Sequence, residues 1–106
     1  MSSLSLAAHN GHYDIVNALL GVGAEVNAQY NIGISSLMIS SLEGHTQIFK
    51  VLIENGALVN LGNNDGDSSL IFAARNGHND IVNVLLKAVS INYLWDDHLL
   101  SPFFLR

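Results

Sequence analysis

The chain has no cysteine, a single proline and only four cationic side chains among its 106 residues. Without cysteine there are no disulfides, no thiolate metal sites and no cysteine nucleophiles, and nothing implies an oxidising compartment. The cations, Lys50, Arg75, Lys87 and Arg106, are scattered, and nine Asp and Glu residues outweigh them to a net charge of −5. Neutralising a phosphate backbone needs a clustered basic surface, so nucleic acid is not an expected partner. Only 12% of residues are charged while 49% are hydrophobic, so the apolar side chains must be buried or form an adhesive surface. No run approaches the roughly 18 apolar residues of a membrane span, and membrane insertion is not expected. The opening Met1-Ser2-Ser3-Leu4 lacks the basic-then-apolar order of a signal peptide. Together these absences lead to the expectation of an intracellular, cytoplasmic protein.

What the chain does have is repetition. Ala7 to Leu20 reads Ala-Ala-His-Asn-Gly-His-Tyr-Asp-Ile-Val-Asn-Ala-Leu-Leu, and Ala73 to Leu86 reads Ala-Ala-Arg-Asn-Gly-His-Asn-Asp-Ile-Val-Asn-Val-Leu-Leu. A looser copy runs from Ser40 to Ile53. Gly11, Gly44 and Gly77 therefore recur every 33 residues, followed by His12, His45 and His78. A fixed period of this size marks a repeat architecture. One domain is expected, with units at about 2–33, 34–66 and 67–98 and a partial fourth repeat or C-terminal cap at 99–106.

Within each unit the spacing predicts two helices. Leu4, Ala7 and Ala8 share one helical face; Ser2 is an N-cap, and Gly11 supplies the left-handed stop. Asp14 lies in the first turn of the next helix, where the dipole favours it, and Ile15, Val16, Leu19 and Leu20 form a wide apolar stripe. Gly21 and Gly23 end it. Val26-Asn27 reads as an extended pair, and Ala28 to Gly33 as a projecting loop or hairpin. In the second unit Ser40 and Ser41 replace the alanine pair and are expected to bond back to carbonyls one turn earlier. The third unit lacks a glycine after its second helix, and Lys87 to Asn92 is one residue shorter than its counterparts.

These residues resemble the ankyrin repeat, a unit of two antiparallel helices followed by a projecting hairpin. The pattern of hydroxyl residue, Leu, paired small residues, Gly-His, Ile-Val-Leu-Leu, Gly-Ala and Val-Asn is met by Ser2 to Asn27 and Ser35 to Asn60. Ser68 to Asn92 meets it without the Gly-Ala. The resemblance implies an all-α solenoid of stacked helix-turn-helix units with projecting loops. Ser3, Ser36 and Ser69 stand where the family has proline, and Ser5, Met38 and Ile71 where it usually has histidine, so an array less stable than the family norm is expected. Beginning and ending inside repeats, the chain also reads as an excerpt of a longer array or as a protein whose ends pack unusually.

Five histidines raise the question of a metal. Stacked helices stand about 8–10 Å apart, whereas zinc ligands converge to about 2.0–2.1 Å from one ion. A ladder of His12, His45 and His78 cannot do that, and each is expected to bond nearby backbone. His9, His12 and Asp14 flank a change of chain direction, and Asp96-Asp97-His98 reads as a solvated loop. No phosphate loop, nucleophile elbow or catalytic carboxylate pair is present. No enzyme activity, cofactor or metal is expected.

Surface remains. The resemblance implies protein binding through the loop tips and the exposed side of each first helix. Carried over by position, these residues are Asn31, Ile32 and Ile34, with Tyr30 close by, then Asn64, Asp65 and Asp67. The first-helix positions are His9 and Asn10, Leu42 and Glu43, and Arg75 and Asn76. Ile32, Ile34 and Leu42 are large apolar groups that the framework does not require, and exposed apolar surface often marks an interaction site. The alternative is a structural spacer or a self-associating unit, using the apolar segment Leu99 to Leu105 either as a cover over the third unit or as a contact with another molecule.

Overall fold

A computed structural model describes residues 1–97. Three helix pairs follow one another: α1 (Ser3–Asn10) with α2 (Tyr13–Gly21), α3 (Ser36–Glu43) with α4 (Thr46–Glu54), and α5 (Ser69–Arg75) with α6 (Asn79–Asp97). First helices stack on first helices and second on second, so each pair packs on its neighbours. This is the one-dimensional logic of a solenoid.

The local signals act as expected. The Ser2 hydroxyl accepts from the Ser5 N–H at 3.1 Å, and Ser35 repeats this with Met38 at 3.3 Å. Each bond satisfies a donor that the first turn would otherwise leave orphaned. Asp14 lies in the first turn of α2. Gly11 and Gly44 end α1 and α3 at φ 76°. Glycine is needed there for two reasons, because a Cβ at Gly11 would stand 2.9 Å from the His45 ring and one at Gly44 2.7 Å from His78.

The apolar stripes of the second helices make the core. Val16, Ile48, Phe49, Leu52, Ile81 and Leu85 are buried against Leu4, Leu37, Ala7, Ala8 and Ala73 of the first helices. Burying each large side chain contributes about 1.5–3 kcal/mol. The small residues of the first helices let neighbouring units approach closely.

Hydrogen bonds cross each junction. His45 Nε2 donates to the His9 carbonyl at 3.1 Å, and His78 Nε2 to the Leu42 carbonyl at 2.9 Å. A carbonyl only accepts, so Nε2 carries the proton in both. The expected backbone bond of these histidines thus reaches into the preceding unit. Ser40 bonds back to Leu37 O at 2.9 Å, as expected. Ser41 does not; its hydroxyl donates across the junction to the Ser69 carbonyl. Val26-Asn27 is likewise a turn and not an extended pair. There the Asn27 amide donates to Gly56 O at 3.0 Å and accepts from Leu58 N–H at 2.8 Å, bracketing the turn of the next unit.

Beyond α6 the plan changes. With no Gly-Ala after Leu86, the helix runs on through Asp97 for 19 residues, against nine in α2 and α4. The expected loop at Asp96-Asp97 is therefore helix, while His98 and the cap or partial fourth unit at 99–106 lie outside the described residues. No helix among the described residues is long and apolar enough to cross a membrane.

Candidate functional site

Two hairpins project from the helix layers. In the first, Tyr30 and Ile34 exchange backbone hydrogen bonds at 2.8 and 2.9 Å around a tip of Asn31, Ile32 and Gly33. Asn31 and Gly33 take positive φ, 51° and 88°, conformations that asparagine tolerates and glycine favours. The second hairpin is closed by Asn63 N–H to Asp67 O at 2.9 Å, and its turn by the Asn63 side chain, which accepts from Asp65 and Asp67 N–H. Asn64 N–H donates to Ile32 O at 2.8 Å, joining the two tips. A Cβ on Gly33 would stand 2.8 Å from the Asn64 nitrogen, so this contact requires glycine. Gln29 spans both hairpins, donating to Gly33 O at 2.8 Å and Gly62 O at 2.9 Å.

Between the first hairpin and the first helices lies a groove of about 380 Å³. Six of the thirteen residues expected from sequence line it: His9, Tyr30, Asn31, Ile32, Ile34 and Leu42. Ile32 is 58% exposed and Leu42 39%, so the two walls keep large apolar surface in water. Ile34 is half-buried, held by its bridge to Tyr30.

The floor was not anticipated. Met38, Ile39 and Phe72 line the groove from below, with Ser5 and Met1 at its edge. Met38 and Phe72 are buried, and at helical spacing they resemble ordinary core residues. Only the departure from the usual histidine at Met38 hinted otherwise.

The remaining expected residues form the rim or stand apart. Glu43 lies 3.4 Å from His9 Nδ1, joining the first two units above the groove. Arg75 stands 3.6 Å from Asp67 and stacks 5.8 Å from the centre of the Phe72 ring. Asn64 and Asp65 occupy the second hairpin tip. Asn10 and Asn76 do not line the groove; their amides donate back to Leu6 O and Phe72 O of their own helices, each at 3.0 Å.

A larger depression, about 710 Å³, lies elsewhere, lined by Ile53, Gly56 to Leu61 and Ala88. None of the expected site residues borders it. Among the described residues no three His, Asp or Glu side chains are grouped to hold a metal ion.

The family model for ankyrin repeats in three copies matches residues 4–94. The chain belongs to the ankyrin-repeat family. No curated protein matches it. Ankyrin repeats are generally protein–protein interaction modules and typically non-enzymatic. The groove accordingly lies on the hairpin and first-helix side of this ankyrin array.

Proposed function

We propose that this ankyrin array binds a protein segment through the groove between its first hairpin and first helices. The observation that carries the reading is the pairing of exposed Ile32 and Leu42 above a floor of Met38 and Phe72. Methionine adapts to irregular apolar shapes, and large apolar or aromatic anchors seated in such pockets dominate binding energy at many interfaces. Little ordering is lost on contact, because Asn64, Gln29 and the Tyr30–Ile34 bridge already hold the hairpin.

The rim adds a preference of charge. Glu43, Asp65 and Asp67 outnumber Arg75, which is already engaged by Asp67. The favoured partner is a segment that places a large apolar side chain in the groove beside a basic residue. Its affinity then carries a salt-dependent component from the rim.

Selection from a displayed random-peptide library tests this. Binders should converge on a large apolar residue flanked by Lys or Arg, and Ile32→Ser combined with Leu42→Ser should weaken them at least tenfold. Peptides that bind the double variant as tightly as the parent contradict the reading.

A further inference from the structure

The three acids at the groove rim do not have equivalent neighbours. Asp67 stands 3.6 Å from the Arg75 guanidinium, whose charge is permanent. Asp65 sits at the tip of the second hairpin, with its own N–H held by the Asn63 side chain. Glu43 directly follows the groove wall Leu42, and its partner is His9, which itself lines the groove. Glu43 Oε2 lies 3.4 Å from His9 Nδ1, with the His9 and Glu43 side chains 48% and 36% exposed. An imidazole changes its charge between about pH 8 and 5. Of the three rim acids, Glu43 is the one whose partner can lose its charge near neutrality.

The imidazole has defined surroundings. From α3 it meets Glu43, and from the turn after α3 the His45 ring reaches the His9 carbonyl and not its ring. The hairpin brings Tyr30, and Met1, with its amino group, stands at the groove edge. α2, which packs on α1, starts with Tyr13 and Asp14 just after His12. Among the described residues Glu43 is the one acid paired with His9.

We propose that Glu43 receives the basic residue of the segment bound in the groove, and that His9 gates it by pH. The inference rests on the groove being the binding site. With His9 neutral, a lysine or arginine seated beside Leu42 pairs with Glu43 across the rim. As His9 gains a proton it becomes the cation that Glu43 holds, and it also turns a like charge toward the incoming base. Both effects act in one direction, so affinity falls as pH falls. Because the pair is half-exposed, the fall is about three- to fivefold between about pH 7.5 and 5.5. The helix junction is spared, since the His9 carbonyl that seats His45 takes no part in the exchange.

Calorimetric titration at those two pH values tests the gate, using a library-selected basic peptide without histidine and the same peptide with its lysine or arginine replaced by glutamine. The basic peptide should lose affinity on acidification, while the glutamine peptide should hardly change; this pair needs no variant of the protein. His9→Gln keeps a hydrogen-bonding side chain without the titrating charge, and it should flatten the pH dependence of the basic peptide. Any dependence that comes from the carboxylates or the other histidines persists in that variant. Glu43→Gln should flatten it too, and should reduce the preference for the basic peptide at the higher pH. A basic peptide that needs Ile32 and Leu42, yet loses affinity equally in the parent and His9→Gln, overturns the gate and leaves the groove standing. So does one whose preference over the glutamine peptide is the same in the parent and Glu43→Gln. A peptide indifferent to Ile32→Ser with Leu42→Ser instead removes the groove reading, and the gate with it.

Discussion

The junction between the first two units and the junction between the last two are built from the same repeat and are not held alike. At the first, Ser5 and Ser36 share a hydrogen bond at 3.2 Å, His45 reaches back to His9 O, Asn27 brackets the following turn and Gln29 crosses to Gly62. At the second, His78 repeats the histidine bond and Ser41 reaches Ser69 O, but the Ser69 hydroxyl is buried without a partner. Met38 occupies the position of Ser5 and cannot bond it. Ser68 also makes no side-chain cap, unlike Ser2 and Ser35. The helix layer is thus locked twice, while the turn layer is bracketed once, and the third unit is the less firmly attached.

The largest effect should come from breaking the histidine lock of the second junction. Gly44→Ala places a Cβ 2.7 Å from the His78 ring at a φ of 76°, combining left-handed strain of about 1–2 kcal/mol with loss of a hydrogen bond worth about 1 kcal/mol. Hydrogen exchange should then show α5 and α6 opening before α1 to α4. Asn27→Ala removes both bonds of the turn bracket and should cost about 1 kcal/mol, since both are exposed. Its denaturant midpoint should fall less than that of Gly44→Ala.

Ser69→Pro works in the other direction. It deletes the orphan hydroxyl at the first helical position, where proline costs no hydrogen bond, and Ser68 already has the extended φ −93°, ψ 175° that proline wants before it. A gain of about 1 kcal/mol is expected, raising Tm by about 4–8 °C. Ile32→Ser with Leu42→Ser should move the melting transition least, by less than about 0.5 kcal/mol per site, because both side chains are exposed. A large loss would make them part of the framework and not walls of a binding groove.

Much of this was legible in the residues themselves. The 33-residue period, the serine caps and the glycine stops determine the helix pairs, because those signals act within a few residues. Ile32 and Leu42 stood out because the framework has no use for them. The floor of the groove did not: Met38 and Phe72 follow a core spacing, and only the position of the hairpin beside them makes them part of a groove. Ser41 was misjudged for a related reason. A hydroxyl in a helix can bond its own earlier turn or a neighbour, and the close approach of α5 decides for the neighbour. The run-on of α6 was half visible in the missing Gly-Ala, although where a helix without its stop ends is not a local property.

The most direct test of the proposed binding face is a methyl-resolved NMR titration with a selected peptide bearing one large apolar residue beside a lysine or arginine. Shift changes concentrated at the methyl groups of Ile32, Ile34, Met38 and Leu42, and at the Phe72 ring, are the predicted result. Changes centred on Ile15 or Leu70 at the ends of the stack, or spread evenly over the molecule, would contradict it.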